Sequence, residues 1–250
     1  MLKLRVIPTL LYKDYGLVKG VGFDSWRRTG SALQAIKVYN LREVDEIVFF
    51  DITASKEGRD PDFELIDELA DECFMPMSVG GGISSLEHIQ KLLNVGADKV
   101  IINTAAIERP NFIREAADKF GSQCIVVAVD VKIKNDQYIV CSFSGSKEIK
   151  ASLNSWLLEI EAMGAGEILI TSIDKDGTMA GYDKQLIQQV VSTVNLPVIA
   201  SGGAGNYDDL VTAASLGVSA VAAASIFHFT ESTPLEAKKA LQIAGFPVRL

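Results

Sequence analysis

Short apolar runs and longer segments with apolar residues at helical spacing alternate along the whole chain. The runs Leu4 to Leu10, Ile47 to Asp51, Met77 to Ile83, Lys99 to Asn103, Cys124 to Val129, Glu167 to Thr171, Pro197 to Ser201 and Ala220 to Ala223 are of strand length, and most are rich in β-branched residues. Helical spacing and start signals mark Ser31 to Asn40, Asp60 to Asp71, Ser84 to Asn94, a segment opened by Pro110, Ser152 to Met163, Asp183 to Val194, Tyr207 to Leu216 and Pro234 to Ala244. Asp60 ahead of Pro61 reads as an N-cap. Two segments interrupt the pattern: a polar, glycine-bearing loop from Lys13 to Gly30, and a hairpin insert at about 131–146 around Asn135-Asp136. Eight strands alternating with eight helices predict one domain over residues 1–250, a closed (β/α)8 TIM barrel with parallel strands and right-handed crossovers. No Gly-x-Gly-x-x-Gly loop follows the first strand, which weighs against a dinucleotide fold.

The two halves resemble each other. Pro76 and Pro197 are 121 positions apart (197 minus 76), and the same offset relates Gly81-Gly82 to Gly202-Gly203, Gly96 to Gly217, and Asn103-Thr104 to Ala224-Ser225. A duplicated half-barrel explains this spacing.

Composition adds less. With 48% hydrophobic residues in 250, the chain can build a large core, and 32 acidic against 24 basic residues (net charge −8) argues against a duplex nucleic-acid footprint. No apolar stretch reaches the roughly 20 residues that span a bilayer, and the Met1 to Pro8 stretch lacks signal-peptide features, so a cytosolic protein is expected. Cys73, Cys124 and Cys141 lack metal-ligand spacing and read as reduced thiols, and no metal or cofactor is expected.

In a barrel of this kind the strand ends converge on one mouth. Asp51, Gly80 to Gly82, Asn103, Asp130, Thr171, Ser201 and Ser225 collect there. Ile125 to Asp130 stands out, because an apolar run that ends in a carboxylate commits a charge to the interior's edge. Asp130 and Asp176 are candidates for acid–base work, although Asp174 and Asp176 also fit as caps of the turn at Gly177. The paired glycines followed by Thr104 and Ser225 suggest two phosphate cradles, with tight packing turns as the alternative. His88 reads as a surface helix residue and His228 as packing or a loop residue near the second cradle. Arg5, Glu46, Lys99 and Glu167 stand at strand starts, where they could close a salt-bridged ring at the opposite end or remain solvated charges.

These motifs resemble the cyclase subunit of imidazole glycerol phosphate synthase over essentially the whole chain. Phe50-Asp-Ile-Thr-Ala-Ser55, Val79-Gly-Gly-Gly-Ile83, Gly96-Ala-Asp-Lys-Val100, Ile102-Asn-Thr-Ala-Ala106, Thr171-Ser-Ile-Asp-Lys-Asp-Gly-Thr178 and Ile199-Ala-Ser-Gly-Gly-Ala-Gly205 carry the resemblance. It implies a heterodimer with a glutaminase whose ammonia crosses the barrel to a substrate bearing two phosphates. By the same resemblance Gly82, Asn103 and Thr104 hold one phosphate, and Gly177, Gly202, Gly203, Ala224 and Ser225 the other. Lys19 clamps substrate, Asp130 and Asp176 serve catalysis, Arg5, Glu46, Lys99 and Glu167 gate ammonia, and Asp98 meets the glutaminase.

One position departs from the family pattern. Leu11 stands where the family places its second catalytic acid, and Asp14, three residues on, lies about 10 Å further along an extended segment. Arg5-Val-Ile-Pro-Thr-Leu-Leu and Gly16-Leu-Val-Lys19 resemble instead the glycosyl amidation-associated paralogues of bacterial surface-glycan pathways. In that group the barrel and its glutaminase supply ammonia to a third protein, an amidotransferase acting on a sugar. The favoured expectation is such a paralogue; the alternative is an authentic cyclase, a lyase that closes the imidazole ring and releases an aminoimidazole carboxamide nucleotide.

Overall fold

A computed structural model describes residues 3–14 and 16–250; Met1 and Leu2, which open the Met1 to Pro8 stretch, and Tyr15, within the Lys13 to Gly30 segment, lie outside the described residues. The described strands are β1 (Arg5–Lys13), β2 (Gly16–Val21), β3 (Asp24–Gly30), β4 (Ile47–Asp51), β5 (Met77–Gly80), β6 (Lys99–Ile102), β7 (Ile125–Lys134), β8 (Gln137–Ser142), β9 (Lys147–Ser152), β10 (Glu167–Ser172), β11 (Val198–Ser201) and β12 (Ala220–Ala223). The helices are α1 (Ala32–Leu41), α2 (Ala54–Glu57), α3 (Phe63–Asp71), α4 (Leu86–Asn94), α5 (Thr104–Glu108), α6 (Asn111–Phe120), α7 (Leu153–Ala162), α8 (Lys184–Thr193), α9 (Tyr207–Ser215), α10 (Ser225–Phe229) and α11 (Pro234–Ile243).

Eight of the strands, β1, β4, β5, β6, β7, β10, β11 and β12, pair in parallel, and the β7–β10 and β12–β1 contacts close the circle. Following the register from Lys13 through β4, β5, β6, β7, β10, β11 and β12 returns to Arg5, a displacement of eight residues (13 minus 5). That is the shear of a (β/α)8 barrel. The helices sort as the apolar spacing requires, with Ile89 and Leu92 of α4 and Phe112, Ile113 and Ala116 of α6 buried against the sheet.

The half-barrel offset persists in three dimensions. Elements β5, α4, β6 and α5 recur as β11, α9, β12 and α10, each shifted by 121 residues. Even the caps repeat: Asp62 accepts from the Leu65 N–H and Asp183 from the Leu186 N–H, each at 3.0 Å. This corrects the expected cap at Asp60. The side chain at 62 is three residues before the free N–H of Leu65, which suits capping, while Asp60 lies 3.4 Å from the His88 ring.

The segment Lys13 to Gly30 is not a loop. It folds as β2 and β3, an antiparallel hairpin on the end of β1, with Leu17, Val18 and Lys19 buried. The insert after β7 also extends further than expected, because β9 pairs with β8 and carries the excursion from 131 to Ser152. Among the described residues no helix is long and apolar enough to cross a membrane.

Candidate functional site

Alternation along each barrel strand decides which side chains reach the interior. On β7, Val127 and Val129 pack outward against helices, while Val126 and Ala128 join the barrel's inner cluster and Asp130 continues their face. The same two-residue step carries Arg5, Ile7, Thr9 and Leu11 up the inside of β1, and Glu167, Leu169 and Thr171 up β10. β1 and β10 therefore each bring a charge to one end of the barrel and an uncharged side chain, Leu11 or Thr171, to the other.

At the carboxyl ends lies an open cavity. Leu11, Lys19, Gly82, Asn103, Thr104, Asp130, Asp176, Gly177, Gly202, Gly203, Ala224 and Ser225 all border it. Phe23 and Trp26, from the hairpin, border it as well and were missed in sequence, where the hairpin reads as a polar loop.

Asp130 and Asp176 form an unequal carboxyl pair. Burial, with the charge of Asp176 added, pushes Asp130 up to about 7 against an opposing hydrogen bond from Thr171. The Asn103 amide donates to the Asp130 carboxyl at 3.2 Å. Asp176 is also raised by burial, but Lys19 Nζ lies 2.5 Å from it and favours its charged form. Lys19 itself is only 1% exposed, so the ion pair is enclosed. Near neutral pH this leaves Asp130 able to give or take a proton beside a fixed Lys19–Asp176 pair.

The hairpin is tied to this pair. The Gly22 N–H donates to the Asp176 carbonyl at 2.9 Å, and a Cβ on Gly177 would stand 2.1 Å from the Gly20 carbonyl oxygen. The glycine pairs after β5 and β11 are likewise closely packed: a Cβ on Gly81 would meet the Asp51 carbonyl at 2.2 Å, and one on Gly203 the Gly181 carbonyl at 2.2 Å. Gly82 keeps its N–H on the cavity side, where Ser55 Oγ accepts it at 3.2 Å. Beside these turns the hydroxyls of Thr9 and Ser225 and the side-chain carbonyl of Asn103 are buried without a hydrogen-bond partner. All three belong to cavity-lining residues, where a polar ligand would satisfy them.

Other candidates fall elsewhere. Asp174 accepts from the Ile133 N–H at 2.6 Å and braces the β7 extension. His88 is partly buried, not a surface residue as expected, because its ring packs edge-on to Phe63 and accepts from the Ser84 N–H at 3.4 Å. His228 lies in α10 with its ring 3.5 Å from the Thr9 carbonyl, and burial, with the Lys19 charge, lowers its pKa. The three cysteines are free thiols, and among the described residues no His, Cys, Asp and Glu cluster could hold a metal ion.

At the opposite end Arg5, Glu46, Lys99 and Glu167 do close a ring. Arg5 pairs with Glu46 at 2.6 Å and with Glu167; Lys99 pairs with Glu46 at 3.0 Å and Glu167 at 3.2 Å. Burial alone would raise the Glu46 carboxyl, but Lys99, Arg5 and the Ser78 hydroxyl outweigh it and hold it below its ordinary value. Asp98 is exposed on this face and accepts from the Met77 N–H at 2.8 Å.

Fold and cavity together define a single-domain (β/α)8 protein with a small-molecule site at the carboxyl ends of its strands. The model of the family described as histidine biosynthesis protein matches residues 5–233. Imidazole glycerol phosphate synthase subunit HisF of Caulobacter vibrioides is 49% identical over 253 residues, covering 100% of this chain and 97% of its own. The HisF subunit of Dictyoglomus thermophilum is 47% identical over 251 residues, and a Campylobacter jejuni chain that carries the subunit name hisF2 is 46% identical over 250, with both chains fully covered in each case. The chain belongs to the histidine biosynthesis protein family, in its HisF branch.

Proposed function

We propose that this chain is the barrel subunit of a glutamine-dependent complex, and that it carries ammonia to its mouth for amidation of a sugar in bacterial surface-glycan synthesis without closing an imidazole ring. The carrying observation is Leu11, an apolar side chain lining the same cavity as Asp130. Ring closure by the family's scheme uses two carboxyl groups for proton transfer, and leucine transfers none. Losing one such group costs about 10²- to 10⁴-fold in rate.

The remaining parts fit delivery of ammonia. The relatives' subunit names support a partner, for which a glutaminase is the natural source of ammonia. Two buried carboxylates, Glu46 and Glu167, held between partly exposed Arg5 and Lys99 are costly to desolvate and a hydrophobic plug would be at least as stable, so the ring suits a passage that must open. Beyond it the inner wall is apolar, with Ile7, Val48, Ile101, Val126, Leu169 and Ile199, which favours neutral ammonia over ammonium. At the mouth, the Gly82, Asn103 and Thr104 cradle and its counterpart of Gly177, Gly202, Gly203, Ala224 and Ser225 suit an anionic, phosphate-bearing ligand. Raised Asp130 is placed to exchange a proton with the arriving amine.

The cyclase reading draws on the intact Asp130, Asp176 and Lys19 constellation. One assay separates the two: the chain is given the bisphosphorylated substrate of the imidazole synthases with an ammonium salt. The proposal expects turnover no greater than that of Asp130→Asn, and a gain of about 10²-fold or more in Leu11→Asp. Wild-type turnover orders of magnitude above Asp130→Asn would establish the cyclase instead.

A further inference from the structure

The mouth has an apolar side that phosphate cradles do not explain. Leu11, Phe23, Trp26 and Phe50 border the same cavity as Asp130. Trp26 is half-buried on a strand where Ser25, Arg27 and Arg28 beside it are exposed. Its place is built into the hairpin. A Cβ on Gly20 would stand 2.8 Å from Trp26 Cε3 and 1.9 Å from the Asp24 carbonyl oxygen, so a bare glycine backbone is what lets the indole lie against β2. Arg27, on the alternate face of β3, stacks on the Phe229 ring of α10 at 4.5 Å and anchors the strand from its outer side.

The polar side makes a complementary demand. The Asn103 amide nitrogen faces three acceptors, the Ala128 carbonyl at 3.1 Å, the Asp130 carboxyl at 3.2 Å and the Cys141 carbonyl at 3.4 Å, which fixes the orientation of the amide. Its oxygen is the end left buried without a partner among the described residues. That oxygen needs a hydrogen donor, and a doubly ionised phosphate has none to give. The Thr9 hydroxyl, two positions below Leu11 on the inward face of β1, is likewise buried and unpartnered among the described residues. A ligand made only of phosphate groups would leave Asn103 unsatisfied, a cost that buried polar atoms rarely carry.

We infer that the mouth holds a pyranose ring carrying a phosphate, with its C–H face on Trp26 and its hydroxyls on Asn103 Oδ1 and Thr9 Oγ1; this rests on the reading of the preceding subsection and gives its sugar a class. A pyranose joins both properties, a face of C–H groups that packs on an aromatic ring and a rim of hydroxyls that donate and accept. Leu11 extends the apolar side, where a carboxylate would demand a partner or water. A nucleobase is the poorer occupant. It would stack as well, but its polar groups lie along fewer edges, and Thr9 and Asn103 stand three strands apart around the barrel.

The test titrates the full-length chain with glucose 1-phosphate, N-acetylglucosamine 1-phosphate, uridine monophosphate and inorganic phosphate, read by calorimetry and by tryptophan emission. Emission reports on this wall, because the second of the two tryptophans, Trp156, is buried on α7. At least one hexose phosphate is expected to bind about 10-fold or more tighter than inorganic phosphate and to shift the emission. Trp26→Leu should abolish that shift and weaken the hexose phosphate about 10-fold. Thr9→Val should weaken it about 3- to 10-fold, and both variants should bind inorganic phosphate as wild type does. Hexose phosphates that bind no tighter than inorganic phosphate overturn the pyranose subsite and leave the ammonia reading standing. A shift of Trp26 emission by uridine monophosphate alone assigns the wall to a base and overturns the proposal. Binding of none of the four overturns both the subsite and the phosphate-bearing ligand of the preceding reading, whereas turnover in the cyclase assay overturns that reading without moving the comparison of hexose phosphate with phosphate.

Discussion

Lys19 is enclosed by protein, and its compensation comes from Asp176, 157 residues away in sequence. Both residues were recognisable as mouth residues from their motifs, but nothing local in either sequence couples them. Only closure of the barrel does. Removing one partner leaves a buried charge unmatched, so Asp176→Asn is expected to lower stability by about 3 kcal/mol in urea unfolding. The double replacement Lys19→Met, Asp176→Leu should recover most of that loss. Equal destabilisation in single and double variants would show that packing, and not charge pairing, fixes Lys19. Leu11 sits on the other side of the balance: its identity was plain in sequence, and its position on the cavity wall follows from the two-residue step along β1.

Most elements were legible because the barrel strands are largely apolar runs and several helices begin at a side-chain cap, such as Ser85, Ser152, Asp183 and Thr233. The hairpin β2–β3 was hidden for a physical reason. Its turns place Asp14 at φ 56°, Phe23 at 62° and Ser25 at 55°, so residues without the glycine signature take left-handed positions. Its buried side includes a lysine, so its pattern of alternation reads as polar. By contrast the β7–β8 turn announced itself, with Asn135 and Asp136 both left-handed.

The close turns at the mouth allow a graded test. Gly81→Ala and Gly203→Ala would force a Cβ against backbone oxygen at a positive φ, and each should cost more than about 2 kcal/mol. Gly58→Ala, at φ 65° with open space around it, should cost about 1 kcal/mol. Comparable losses at all three positions would mean that backbone conformation alone, and not close approach, selects these glycines.

For the whole molecule, stability depends on pH through the two ends of the barrel in opposite senses. Asp130 has a raised value, so its contribution is intact below the ordinary carboxylate range and is lost as pH climbs through the folded value, about 7. Glu46 has a lowered value, so its contribution is present above the ordinary range and disappears as pH falls through the folded value. Melting temperature is therefore expected to peak in mildly acidic solution. Asp130→Asn should flatten the alkaline limb, measured from about pH 4 to about pH 8, the span from the ordinary carboxylate range to just above the folded value. Glu46→Gln should flatten the acid limb while lowering the peak, because Arg5 and Lys99 lose one of their two shared partners. A variant at one end that altered the opposite limb would contradict this assignment.

The inward step along β1 keeps the chemistry of the two ends apart. Arg5 at one end and Leu11 at the other are three inward positions apart on one strand, separated by Ile7 and Thr9. A change at position 11 therefore alters the wall of the mouth while leaving the charged ring at the other end in place. One strand carries a determinant of each end of the barrel, and the two can vary independently.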